Sequence, residues 1–214
     1  MDGVKPRAYR SPLRAEQASR TRAAVLQAAH ELFVAQGYGA TTVEQIAARA
    51  GVSKPTVFTS VGSKQALLKV VRDVAMAGDD EPVPVPQRPS VQRILAAPGA
   101  AEAVVAVAAH VTQLVARYAD VEEVLRGAAA AGDPELRALW ETAEQQRRAG
   151  ASLLLGLVSA KGPLRPGLSP ERAADVLSHL MAPDGYRRLV HGCGWSDEEY
   201  AAWLTEVLTA QLLP

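Results

Sequence analysis

Residues 41–64 read Thr-Thr-Val-Glu-Gln-Ile-Ala-Ala-Arg-Ala-Gly-Val-Ser-Lys-Pro-Thr-Val-Phe-Thr-Ser-Val-Gly-Ser-Lys. Thr41 or Thr42 can cap a short helix, with Glu44 or Gln45 three residues on to close a capping box, and Val43, Ile46, Ala47 and Ala50 make its inward stripe. Gly51 stands where a left-handed residue closes a helix. Val52 plugs the corner and Ser53 caps a second helix, whose Pro55 falls in the first turn, where a missing N–H costs little. Val57 and Val61, four apart, face a core, which turns Pro55 and Thr59 outward and leaves Lys54, Thr56 and Phe58 on the flanks. Gly62 ends the second helix, Ser63 caps the next, and Lys64 stands in its first turn. Upstream, Val25, Leu26, Ala29, Leu32 and Phe33 form an amphipathic helix ending near Gly37, the remaining wall of a small core.

Two short helices around a glycine corner are a device for laying the second of them in the major groove of DNA. With the preceding Leu-Phe and Gly, the pattern Thr-Thr-Val, Ile-Ala, Ala-Gly-Val-Ser, Thr and Gly-Ser-Lys resembles the TetR family of transcriptional regulators, over roughly Arg20 to Leu68. The resemblance implies an N-terminal three-helix DNA-binding domain, with Lys54, Pro55 and Thr56 as base-edge and groove contacts and Thr42 and Lys64 as phosphate contacts. Phe58 and Thr59 join this candidate set through their outward placement. Four positions depart from the family pattern, which usually has Tyr where Phe58 stands, an aromatic, Arg or His at Thr59 and Ser60, and Phe at Val61. The hydroxyl missing from Phe58 removes a phosphate hydrogen bond, so a relative's operator sequence does not carry over.

Charge supports the same reading. The formal net charge is +0, but residues 1–75 hold 11 Lys and Arg against 5 Asp and Glu, and the rest holds 12 against 18. A basic end on an acidic body suits a one-faced DNA binder. Residues 1–19 read as a flexible basic arm, with Lys5, Arg7, Arg10 and Arg14 spaced along it to follow phosphates or a minor groove, or simply to remain a solvated tail. Residues 20–77 form the helix-turn-helix domain, 78–89 a proline-punctuated linker, and 90–214 a helical body for ligand binding and dimerisation. The one cysteine, Cys193, excludes an internal disulfide and a multi-cysteine metal site. The longest apolar stretches, near 103–109 and 151–160, fall short of the roughly 18 residues a membrane span needs. A cytoplasmic protein that engages no membrane is expected.

The body reads as all-α, so the whole chain is expected to be all-α. Asp133-Pro134 and Ser169-Pro170 start helices, and Ser196 with Glu199 makes a capping box for the last one. Val107, His110, Val111, Leu114 and Tyr118 share one face, opposed by Leu136, Leu139, Trp140, Ala143, Gly150, Leu153, Leu154 and Leu157. His110, Tyr118 and Trp140 are thus candidate linings of a pocket for an apolar or aromatic effector, with Gln113 and Arg147 as further polar handles, or else ordinary packing. Near the C-terminus two broad stripes make Val176, Leu180, Trp203, Leu204 and Leu208 the candidate interface of a homodimer, the arrangement the resemblance implies, with packing inside one chain as the alternative. The four histidines are scattered, and no carboxylate–metal motif, phosphate-binding glycine loop or Gly-x-Ser-x-Gly is present. No enzymatic activity, cofactor or metal is therefore expected. The reading is a homodimeric repressor on a palindromic operator, released by a small effector; the alternative is a DNA-binding regulator without one.

Overall fold

A computed structural model describes residues 12–78 and 84–214. Lys5, Arg7 and Arg10 of the expected arm, and residues 79–83 of the expected linker, lie outside the described residues. The rest forms ten α-helices in the order α1 Pro12–Ala40, α2 Val43–Arg49, α3 Lys54–Ser60, α4 Lys64–Ala77, α5 Pro89–Ala96, α6 Ala100–Ala130, α7 Pro134–Ser159, α8 Pro170–Leu180, α9 Pro183–Tyr186 and α10 Asp197–Leu212. A 3-10 turn at Val85–Gln87 and a π-helix at Arg187–Gly192 complete it, with no strand among the described residues. The fold is all-α, as the periodicity implies.

Two compact units divide the chain between Val71 and Arg72. In the first, Val25, Leu26, Ala29 and Phe33 of α1 are buried with Ile46 and Ala47 of α2, Val57 of α3 and Leu67, Leu68 and Val71 of α4. Local chemistry sets the corners. Thr42 accepts from the Gln45 N–H while Gln45 reaches back to the Thr42 N–H at 2.8 Å, which closes the capping box. Gly51 turns at φ +67°, Ser53 caps α3 with Pro55 in its first turn, and Gly62 turns at φ +117° before α4. α1 breaks at Gly37, where the sequence ends it, but it starts at Pro12 rather than near Arg20. Ala15, Glu16, Gln17, Ala18 and Ser19 are good or tolerable helix formers, so the last part of the expected arm extends the helix.

The second unit packs α6 against α7 and α10, with α8 laid on α7 and α10, around Val104, Val107, Val111, Val115, Leu154, Leu155, Leu177, Leu204 and Leu208. α6 is long and apolar enough to cross a membrane by length and composition; in this fold it is the central core helix, with fourteen buried residues. Asp133, Ser169 and Ser196 cap α7, α8 and α10. The last turns of α4, from Arg72 on, belong to this second unit. There Arg72, only 2% exposed, pairs with the equally buried Glu122 of α6 (Nε–Oε2 2.5 Å) and donates to Gln146 of α7 at 3.2 Å. Arg117 of α6 adds hydrogen bonds to the carbonyls of Ala75 and Met76, which ties the last turn of α4 to the body.

Three details of the body differ from the stripes read in the sequence. Leu153 is 70% exposed, and Leu155 takes the buried place instead. Leu204 and Leu208 are fully buried among their own chain's helices and have no surface left for a second copy. The π-helix and α9 had no periodic signature at all.

Candidate DNA-binding surface

α3 turns the expected face outward. Lys54, Pro55, Phe58 and Thr59 are exposed, Phe58 at 45%, and Val57 is sealed beneath. α2 presents Thr42 and Glu44 beside it, both exposed.

The polar atoms on this face are already engaged. The Thr56 hydroxyl lies 2.8 Å from that of Ser53, and the Thr59 hydroxyl donates to the Thr56 carbonyl at 3.1 Å. The Thr42 side-chain oxygen accepts from the Gln45 N–H at 3.2 Å, and its hydroxyl faces the Glu44 carboxylate. Lys54 forms an ion pair with Glu44 and stands 5.9 Å from the centre of the Phe58 ring. The Glu44 carboxylate is held below the ordinary carboxylate range, first by the Lys54 ammonium and then by its own backbone N–H.

Lys64 is placed differently from expectation. Its ammonium donates to the carbonyls of Tyr38 (3.0 Å) and Thr41 (2.9 Å) and lies 4.0 Å from the centre of the Tyr38 ring. Partial burial lowers its pKa. The side chain fastens the end of α1 to the start of α2, a structural strut with at most one of its three donors left for a phosphate. Sequence reasoning missed this because both acceptors are backbone groups 23 and 26 residues away.

It also missed a groove between the first turns of α1 and the outer side of α3, lined by Arg14, Gln17, Thr21, Arg22, Thr56 and Thr59. Arg22 donates to the Ser60 carbonyl at 3.0 Å, and Arg14 is exposed. Reading Arg14 as part of a loose arm concealed that helix α1 carries it to within a groove's width of α3.

The candidate effector residues differ in burial and in their partners. His110 Nδ1 lies 2.9 Å from Ser90 Oγ on α5, and burial, then Arg117 and Arg93, lowers its pKa. Tyr118 is buried two turns further along α6, with its hydroxyl 3.5 Å from the Met181 carbonyl and its pKa pushed up by burial. Trp140 on α7 is half-buried. Gln113 is exposed and accepts from Arg93 at 3.2 Å. The other handle, Arg147, pairs with Glu144, and Arg147 Nε and Glu144 Oε1 are buried without a hydrogen-bond partner. The interface candidates also divide. Val176 and Leu180 are half-buried and, with His179 and Val207, line a groove between α8 and α10. Trp203 packs on Tyr200 (ring centres 5.5 Å apart) and Trp195 (6.2 Å). No group of three or more metal-ligating side chains occurs among the described residues.

Comparison with known proteins agrees with this geometry. Residues 25–71 match the model of the family described as bacterial regulatory proteins, tetR family. The HTH-type transcriptional regulator YdeS of Bacillus subtilis (strain 168) is 33% identical over 178 residues, 80% of each chain. Two solved structures share the fold. One is native NalD, the secondary repressor of the MexAB-OprM multidrug efflux pump in Pseudomonas aeruginosa, at TM-score 0.68 and 22% identity over 92% of this chain and 98% of that one. The other is a transcriptional regulator from Saccharomonospora viridis in complex with choline, at TM-score 0.66 and 18% identity over 92% and 99%.

Proposed function

The chain belongs to the TetR family of bacterial regulatory proteins, DNA-binding transcriptional regulators rather than enzymes, and we propose that it works as a cytoplasmic homodimeric repressor released by a small molecule. The observation that carries this reading is the outward face of α3: Pro55, Phe58 and Thr59 exposed over a buried Val57, beside Thr42 and Lys54. A single helix of seven residues offers little sequence-specific surface, whereas two related by a twofold axis read both halves of a palindrome. Arg14 and Thr21 along the neighbouring groove serve as phosphate contacts, and Lys64 supports the corner that aims α3.

The groove between α8 and α10 supports self-association. Val176, Leu180 and Val207 keep part of their apolar surface uncovered there, and a C2 interface is self-complementary about such a patch. Leu180→Asp with Val207→Asp is expected to give monomers that bind operator DNA at least about tenfold more weakly, since each half of the palindrome then binds alone. Sedimentation velocity checks this. A wild-type chain that sediments as a monomer at micromolar concentration would remove the homodimer from the account.

Effector control is supported by the choline-bound neighbour and by the unpartnered polar atoms of Arg147 and Glu144 inside the helical body. Buried polar groups are normally satisfied, and an effector's polar atoms suit these two. Tyr118 belongs to the same neighbourhood, because both charges act on its hydroxyl. A compound library screened for loss of operator binding tests this, and complete absence of release favours a regulator without an effector.

A further inference from the structure

Glu44 places a negative charge on the surface that meets an anionic polymer. It is exposed, at the second position of α2, and holds the ammonium of Lys54 at the first position of α3. Their side chains are 61% and 49% exposed, so nothing buried requires the pair, and an exposed ion pair contributes little to folding. Capping α2 does not require Glu44 either, since Thr42 and Gln45 make the capping box between them. Two other cations near α3 are held by groups that DNA does not displace as readily: Lys64 by two backbone carbonyls and Arg22 by the Ser60 carbonyl. Lys54 differs, because its partner is an exposed side chain that can swing away.

We propose that Glu44 is a specificity-determining residue that acts through Lys54, holding its ammonium off the DNA backbone until a matching base edge in the major groove replaces the carboxylate. Lys54 exchanges one partner for another. A freely mobile lysine at the start of α3 would pair with a phosphate on any duplex and release a counterion, which strengthens binding to every sequence equally. With Glu44 beside it, the gain from such a phosphate is offset by the loss of the carboxylate partner and by repulsion between that carboxylate and the phosphates. A guanine edge offers two acceptors, O6 and N7, in fixed positions, and is the chemistry able to replace the pair with profit in hydrogen bonds. The Phe58 ring restricts where the released ammonium can go, which keeps it over the groove rather than out toward solvent. Discrimination thus comes from penalising the wrong contact as well as from making the right one.

The proposal rests on the DNA-binding reading of this face. Its test uses two duplexes, one of mixed random sequence and one carrying a site selected in vitro by the wild-type protein, titrated by fluorescence anisotropy over a range of salt. Glu44→Gln keeps the shape and removes the charge. It is expected to bind the random duplex about two- to fivefold more tightly per DNA-binding unit, with the slope of log K against log salt steeper by about 0.9 per unit, and to lose part of its preference for the selected site. In a Lys54→Met background the same substitution should change the random-duplex affinity by much less, because the lysine it would release is gone. Unchanged thermal unfolding of both variants separates these effects from misfolding. Equal effects of Glu44→Gln with and without Lys54 would mean plain repulsion and would overturn the proposal; weaker binding by Glu44→Gln would make Glu44 a DNA contact in its own right, which overturns it too. A wild-type protein that binds neither duplex would instead overturn the DNA-binding reading itself.

Discussion

Glu122→Ala is expected to lower the unfolding free energy of the helical body by about 3–5 kcal/mol, because it removes one partner of a buried ion pair. Arg72 and Glu122 are each 2% exposed, and the guanidinium reaches the carboxylate at 2.5 Å and 3.5 Å through two of its nitrogens. With the carboxylate gone, Arg72 keeps only the neutral Gln146 at 3.2 Å and the half-exposed Asp73 carboxylate at 3.7 Å, a longer and more solvated partner than Glu122. Most of the expected loss is the cost of leaving a buried cation with these weaker partners, not the intrinsic strength of the pair. The double replacement Arg72→Met with Glu122→Leu should therefore recover most of the stability, since an apolar pair of similar volume leaves nothing unpaired. Urea unfolding followed by circular dichroism gives both numbers. If Glu122→Ala costs less than about 1 kcal/mol, the pair is hydrated and does not hold the last turns of α4 to α6.

The parts of the fold that the sequence made legible are those whose determinants lie within a few residues of one another. The α2–α3 corner needs only Thr42 with Gln45, Gly51 at positive φ, Ser53 and Pro55 in the first turn, and all stand within fourteen positions. The caps of α7, α8 and α10 are equally local. What stayed hidden depends on partners far along the chain. The Arg72–Glu122 pair spans 50 residues, and nothing in either neighbourhood announces it. Lys64 shows the same limit in the site: a lysine in the first turn of a helix has the same sequence whether its ammonium meets a phosphate or two carbonyls. The stripes on α7 and α10 show another. A period of 3.6 marks which residues are apolar but not how a broad stripe is shared between a chain's own core and its outer surface, so Leu204 and Leu208 read as an interface and Leu153 as core.

The second large effect concerns DNA. Pro55→Asp with Thr59→Asp puts two carboxylates on the outermost face of α3, at positions exposed to solvent and four residues apart on one side of the helix. Neither parent side chain is part of the core, and Ser53 continues to cap the helix, so the unit should still fold. Facing phosphates and base-edge acceptors, the new charges are expected to cost at least about 3 kcal/mol of binding free energy, more than roughly a hundredfold in affinity. Anisotropy titration against the wild type's selected site measures this, alongside thermal unfolding. An affinity within threefold of wild type would place the reading surface away from α3.

Offering the purified chain a duplex library with a randomised central region, and sequencing what it retains over successive rounds, tests whether α3 reads DNA sequence. The account predicts one enriched inverted repeat, its half-sites separated by about one helical turn of roughly 34 Å or a multiple of it, with the enrichment lost when the Pro55→Asp, Thr59→Asp protein is used. A retained pool indistinguishable in sequence from the starting library would contradict it.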